Sequence, residues 1–141
     1  GHHFIYLYNY AGDPSKTQEK IWEHTPLNYK NVPDGLSGND DCGQMSAWYI
    51  FSSMGFYPVC PGDGQYVIGS PLFSKITLKL PAPYNKNITI LADGVAEGKK
   101  YIKSLTLDGN PITTPFIKHD DLVSCDKLVF EMSASPTNWG K

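Results

Sequence analysis

The spacing of apolar residues predicts helices in the first part of the chain. Asp13 followed by Pro14 is typical of a helix start, and we expect that helix to run to about Trp22. A further helix is predicted over residues 43–54, ending at Gly55. Its middle is apolar nearly all round, which is typical of a helix that is packed on several sides within a larger helical assembly.

Beyond Gly64 the apolar positions alternate with polar ones, as in antiparallel strands that are buried on one face. Two turn-forming triplets, Ala92-Asp93-Gly94 and Asp108-Gly109-Asn110, are predicted to join neighbouring strands as hairpins. The predicted strands cover residues 66–69, 75–80, 87–92, 102–107, 111–116 and 127–132.

The change from helical to alternating spacing coincides with a cluster of prolines and glycines between Pro58 and Gly64. We therefore predict an α+β fold with two segments, a helical one over residues 1–60 and an antiparallel β-rich one over residues 61–141. A chain of 141 residues has the length of one compact domain, so the two segments are expected to share a core.

Charge and composition argue against several classes of partner. The chain has 12 basic and 14 acidic residues and no block of Lys or Arg, so we expect no nucleic-acid partner. No apolar run is long enough to cross a bilayer, so no membrane partner is expected either. Cys42, Cys60 and Cys125 are odd in number and lack metal-finger spacing, which argues against a zinc site; whether one pair is bridged stays open.

The densest group of polar residues lies at positions 35–44, just before the second predicted helix. Asn39, Asp40 and Asp41 are flanked there by glycines, which permit unusual backbone conformations. Oxygen atoms of Asn39 and Asp40, with main-chain carbonyls, suit a hard cation such as calcium. Asp41 is expected near the positive end of the helix dipole, which favours the ionised carboxylate that a general base needs.

A structural interpretation of the same residues is also open. Asp or Asn before a helix commonly caps it, and glycines there commonly form a tight turn. A second acid beside the cap is not explained in this way, because adjacent carboxylates repel unless a cation or water separates them. His2 and His3 precede an aromatic run, and a remnant of a purification tag is an alternative explanation for them.

Three longer motifs stand out: PDGLSGNDDCGQMSAWY at residues 33–49, GFYPVCPG at 55–62 and YVIGSP at 66–71. Together they resemble glycoside hydrolase family 92, and residues 2–12, 16–18, 128–132 and 136–140 fit the same family. The resemblance implies a calcium-dependent, inverting, exo-acting α-mannosidase. It also implies that this chain holds the last helices of an α/α toroid and the terminal strands, with the rest of the toroid and an N-terminal β-sandwich lying outside it.

The resemblance further implies roles for individual residues. Asp41 matches the aspartate regarded as the general base, and Asn39 matches a catalytic position that can be a second acid in the family, so the chain departs there from some relatives. Asp40 lies between these two positions and is expected to contact substrate. Calcium would be held with the help of Asn39 and Asp40. His3 matches a substrate-binding position that adjoins the sugar pocket.

The general acid of the family is a glutamate earlier in the toroid, without a counterpart in this chain, so the chain alone is expected to be inactive. The implied reaction releases terminal α-linked mannose, with α-1,2 linkages favoured, from glycans outside the cell or in a periplasm. Two alternatives remain open: a non-catalytic carbohydrate-binding or interdomain packing module, and a disaccharide phosphorylase. The second would need basic residues for phosphate, which the loop around Gly38 lacks.

Overall fold

The computed structural model describes residues 1–141 and contains four α-helices. A 3-10 turn leads into α1 (Leu7–Tyr10), which is followed by α2 (Pro14–Asn28), α3 (Gln44–Met54) and α4 (His119–Ser124). The predicted start of α2 is confirmed, but the helix continues past Trp22 to Asn28 and includes Pro26, which lacks a backbone N–H but does not end it. The bounds of α3 are confirmed, with Gly55 at its C-terminal end in the left-handed conformation.

Eight strands form two sheets that follow the first three helices. Their bounds are β1 (Phe56–Tyr57), β2 (Gln65–Ile68), β3 (Lys75–Leu80), β4 (Lys86–Asp93), β5 (Tyr101–Leu107), β6 (Asn110–Pro111), β7 (Phe116–Lys118) and β8 (Lys127–Ser133). The smaller sheet has the order β1-β2-β7 and the larger one β3-β4-β8-β5-β6. All neighbours are antiparallel except β4 and β8, which are parallel. The predicted α+β class is confirmed, with a mixed larger sheet.

Two local predictions in the β part are wrong. The strand predicted over residues 111–116 is divided, because Asn110–Pro111 pairs with β5 in the larger sheet while Phe116–Lys118 pairs with β2 in the smaller one. The triplet at Ala92 does not join neighbouring strands, because β8 lies between β4 and β5. The hairpin at Asp108-Gly109-Asn110 is confirmed, since Leu107 and Asn110 are paired across it. The short helix α4 has no counterpart among the predicted elements.

The core joins the helices to the sheets. Fifteen buried residues form the larger cluster, most of them on the inner face of the five-stranded sheet, and Trp22 of α2 and Phe51 of α3 pack against it. Polar side chains of the helical part also bond to the strands: Gln18 Oε1 accepts from the N–H of Ile102 at 2.9 Å, and Trp22 Nε1 donates to Ser70 Oγ at 2.8 Å. None of the helices combines the length and apolar character needed to cross a membrane.

Candidate functional site

The segment between α2 and α3 is closed at its base like a small hairpin. Tyr29 and Leu36 form a β-bridge, and the N–H of Lys30 donates to the carbonyl of Gly35 at 2.8 Å. Gly35 is needed for this closure, because a Cβ atom there would overlap the carbonyl oxygen of Lys30. Residues 37–43 follow this closure as the loop that leads into α3.

Three consecutive residues at the end of this loop have left-handed backbone conformations. The φ angles are 49° at Asp41, 59° at Cys42 and 92° at Gly43. Asp and Cys adopt this region only at a conformational cost, so such conformations persist where the surrounding structure holds them, and they are concentrated at functional sites. The loop at Asp41 is thus strained at the position that the sequence marks as a candidate base.

Asp40 performs the capping of α3. Gly43 occupies the N-cap position and has no side chain, so a cap must come from elsewhere. The left-handed run turns the chain back, and Asp40 Oδ1 accepts hydrogen bonds from the N–H of Ser46 at 2.9 Å and from Ser46 Oγ at 3.0 Å. The sequence predicts the carboxylate of Asp41 at the helix end; the structure assigns the cap to Asp40, because the chain reversal places Asp40 over the first turn.

Asp41 and Asn39 are exposed beside this cap. Asn39 Nδ2 donates to Asp41 Oδ1 at 3.2 Å, and this is the one hydrogen bond that the Asp41 side chain makes. The second carboxylate oxygen is therefore open to solvent or ligand. Cys42 follows with an exposed thiol, and all three cysteines of the chain are free. Capping explains Asp40 but gives no structural reason for Asp41.

A cavity of about 430 Å³ borders the loop at Ser37 and the start of α3 at Met45. It is lined by His2, whose Nε2 atom lies 3.1 Å from the sulfur of Met45, whereas His3 is exposed and contacts the ring of Phe4 edge-on, with ring centroids 4.8 Å apart. Aromatic and polar side chains make up much of the remaining wall, namely His24, Asn28, Tyr29 and Trp48.

No pattern in the sequence indicates this cavity. Local spacing assigns no role to His24 and places Trp48 only within an apolar helix. The wall is built by tertiary contacts: Trp48 Nε1 donates to the carbonyl of His2 at 2.9 Å, and the rings of Tyr29 and Trp48 are stacked with centroids 5.7 Å apart. Burial, then Tyr57 and Asp40, raise the pKa of Tyr29 to about 12, so its hydroxyl is a stable donor, here to the carbonyl of Met45 at 3.0 Å.

The residues of this chain do not by themselves form a calcium site. Calcium takes about 6 to 8 oxygen ligands, usually including several carboxylates. The chain has no group of three or more Asp, Glu, His or Cys side chains placed to hold a metal ion. Oδ1 of Asp40 is engaged by Ser46, which leaves Oδ2 of Asp40 and the side-chain oxygen of Asn39 as possible ligands.

Comparison with known proteins gives a consistent result. A sequence profile described as the glycosyl hydrolase family 92 catalytic domain matches residues 1–134. An uncharacterized secreted glycosidase of Arthroderma benhamiae is 30% identical over 138 residues, which are 96% of this chain and 18% of that protein.

Solved structures resemble the chain closely. A family 92 α-mannosidase of Bacteroides thetaiotaomicron, also solved in complex with mannoimidazole, is 44% identical with a TM-score of 0.89, and the match covers 97% of this chain and 18% of that one. A family 92 inverting mannosidase of the same species is 43% identical with a TM-score of 0.86, over 96% of this chain and 18% of that one. The chain thus spans about a fifth of the length of these relatives.

Proposed function

Because the chain belongs to glycosyl hydrolase family 92, we propose that it is the C-terminal part of an enzyme that releases terminal α-linked mannose from glycans by inverting hydrolysis. The observation that carries this proposal is the 44% identity to an α-mannosidase over 97% of the chain, with a TM-score of 0.89. The α-1,2 linkage is the one we propose for the substrate. A periplasmic or secreted location is supported by the relative that is described as a secreted glycosidase.

In this proposal Asp41 is the general base. Its carboxylate is exposed, is oriented by one hydrogen bond from Asn39 and has a free oxygen that can accept a proton from water. In an inverting glycosidase that water attacks the anomeric carbon, while an acid about 6.5 to 9.5 Å from the base protonates the leaving oxygen. Asn39 would keep the Asp41 carboxylate turned towards the water, which is its proposed catalytic contribution.

The acid is proposed to come from the remainder of the enzyme. Each glutamate of this chain is paired with a lysine, namely Glu19 with Lys16, Glu23 with Lys20, Glu97 with Lys99 and Glu131 with Lys103. The hydrogen bond from Lys16 lowers the pKa of Glu19, and those from Lys103 and Ser104 lower the pKa of Glu131. Such carboxylates are poor proton donors at neutral pH. We therefore propose that the isolated chain does not turn over substrate.

The proposed calcium ion would be shared between this chain and the remainder of the enzyme. Asn39 and Oδ2 of Asp40 are the ligands that we propose from this chain, and other parts of the polypeptide would complete the set. When bound, such an ion would hold sugar hydroxyls. For substrate binding we propose His3, which follows the cavity-lining His2 in the chain, and Asp40, whose carbonyl accepts from the N–H of the cavity-lining Met45.

The base assignment is tested with Asp41→Asn in the complete polypeptide. This change keeps the size of the side chain and removes its basicity, so turnover of an α-mannoside should fall by about a hundredfold or more. Asp34→Asn is the matched control, because Asp34 lies in the same segment between α2 and α3 and is exposed to solvent. Near-normal turnover of Asp41→Asn, or an equal loss of turnover in Asp34→Asn, would refute the assignment of Asp41 as the base.

A second candidate function is that of an interdomain packing or carbohydrate-binding module without catalytic residues. It is favoured by the apolar side chains exposed on the helical part, among them Phe4 at 62%, Leu27 at 73% and Ile50 at 58% exposure. Such a surface suits docking to the rest of a larger protein. Calorimetric titration of the complete polypeptide with mannose distinguishes the module from the glycosidase. If the affinity for mannose does not change when calcium is chelated or when Asp41 is replaced by Asn, the module is favoured.

A further inference from the structure

Ser46, in the first turn of α3, makes two hydrogen bonds to the carboxylate of Asp40 in the preceding loop. Its backbone N–H and its hydroxyl both donate to the same oxygen, Oδ1 of Asp40, at 2.9 and 3.0 Å. The N–H bond alone would satisfy the helix end, because the third residue of a helix needs one acceptor. The hydroxyl adds a second constraint on the same oxygen, which capping does not require.

This second bond matters because of the backbone conformation just after Asp40. Asp41, Cys42 and Gly43 are all left-handed, and such a run needs support on both sides. On the helix side, the N–H of Gln44 donates to the carbonyl of Asp41 at 3.2 Å, and Gln44 Nε2 donates to the Tyr57 hydroxyl at 2.7 Å. On the loop side, the support comes from Asp40.

The support at Asp40 consists of one backbone bond and the two bonds to Ser46. The carbonyl of Asp40 accepts from the N–H of Met45 at 3.1 Å, which fixes the position of the backbone. The Ser46 bonds fix the side chain. Since Asp41 is the next residue and its own side chain has a single bond, to Asn39, the direction of the Asp41 carboxylate depends on how firmly Asp40 is held.

We propose that Ser46 is a positioning residue for the Asp41 carboxylate, acting through Asp40. The proposal rests on the proposed function of Asp41 as the base. General-base catalysis requires the carboxylate to lie within hydrogen-bond reach of the attacking water, and small displacements of a reacting group reduce turnover strongly. Ser46 bonds only to Oδ1 of Asp40 and leaves Oδ2 available for substrate or calcium, so removing the Ser46 hydroxyl should reduce kcat much more than it changes KM.

Three variants in the complete polypeptide test this. Ser46→Ala removes the hydroxyl and keeps the backbone cap. Ser46→Thr restores the hydroxyl, and its extra methyl group has room because Ser46 borders a cavity of about 510 Å³. Ser53→Ala is the matched control, because Ser53 lies on the same helix with a buried hydroxyl that has no hydrogen-bond partner.

Steady-state kinetics should show a kcat about tenfold to a hundredfold lower in Ser46→Ala, with KM within about twofold of the parent. Ser46→Thr should recover most of the kcat, and Ser53→Ala should match the parent. An unchanged kcat in Ser46→Ala would overturn the inference, as would a loss that Thr does not restore, an equal loss in Ser53→Ala, or a change confined to KM. Failure of Ser46→Ala to fold, judged by thermal melting, would assign Ser46 a structural role and also contradict it.

The Asp41→Asn variant separates the two proposals. If Asp41→Asn abolishes turnover while Ser46→Ala does not affect it, the base assignment stands and the positioning role fails. If Asp41→Asn turns over normally, the base assignment itself fails.

Discussion

Replacing Asp40 by alanine should lower the free energy of unfolding by about 1–2 kcal/mol. The variant loses the acceptor for the Ser46 N–H and for the Ser46 hydroxyl, so both donors must turn to water. A bond to a charged group is worth about 1.5–3 kcal/mol when fully buried, but Asp40 is only partly buried, so the expected loss is nearer that of an ordinary helix cap.

Urea unfolding followed by tryptophan fluorescence is a suitable assay. Trp48 lies on α3 and is only 2% exposed, so its emission should change when the packing around the capped helix is lost, and Trp22 and Trp139 report the unfolding of the rest of the chain. Asp40→Asn keeps an oxygen acceptor without the charge and should lose about half as much as alanine. Asp41→Asn is the matched control at the adjacent carboxylate, which makes one exposed hydrogen bond, and should stay within about 0.5 kcal/mol of the parent.

Two results would refute this reasoning. One is an Asp40→Ala protein as stable as the parent, which would mean that the carboxylate does not cap α3. The other is an Asp41→Asn protein as unstable as Asp40→Ala, which would mean that the two acids share a structural role. The expected pattern is a difference in stability between the two neighbours, with a loss at Asp40 and almost none at Asp41.

Two further predictions concern the core and alkaline pH. Phe130→Ala should lower the free energy of unfolding by about 3–5 kcal/mol in urea, because Phe130 is fully buried on β8. Glu131→Ala, on the exposed face of the same strand, should lower it far less, and similar losses in the two variants would contradict the assigned core. The raised pKa of Tyr29, about 12, means that the unfolded chain releases this proton first, near pH 10. Tyr29 should therefore make the free energy of unfolding fall as pH rises from about 10 towards 12. Tyr29→Phe should flatten that fall. If the free energy of unfolding, measured at several alkaline pH values, has the same slope against pH in Tyr29→Phe as in the parent, the prediction is wrong.

Predictions that depend on neighbouring residues were the accurate ones. The bounds of α3 follow from an apolar run with a glycine at each end, and Gly43 and Gly55 both adopt the left-handed conformation that those positions need. The hairpin at Asp108-Gly109-Asn110 likewise follows from its own turn residues. Each of these signals acts within a few residues, so a single sequence contains all the information that is required.

Predictions that depend on distant partners failed in the sheets. A turn-forming triplet at Ala92 indicates a chain reversal but does not indicate which strand becomes the neighbour. Strand β8, in which Leu128 and Phe130 are fully buried, pairs with β4 along one edge and with β5 along the other. That arrangement inserts the last strand of the chain between two earlier ones, and it is decided by burial across the whole sheet.

The candidate site combines both cases. By itself, the sequence determined that the polar loop at residues 35–44 precedes α3, that Asn39, Asp40 and Asp41 are its candidate residues and that the chain resembles one glycosidase family, because these features are contiguous. Only the tertiary structure decided that Asp40 caps the helix and that His2 and His24, rather than His3, line the cavity. The left-handed turn after Asp40 returns its carboxylate to Ser46, and the packing of Trp48 against His2 and Tyr29 forms the wall. Both depend on contacts made in space by residues that local patterns treat as independent.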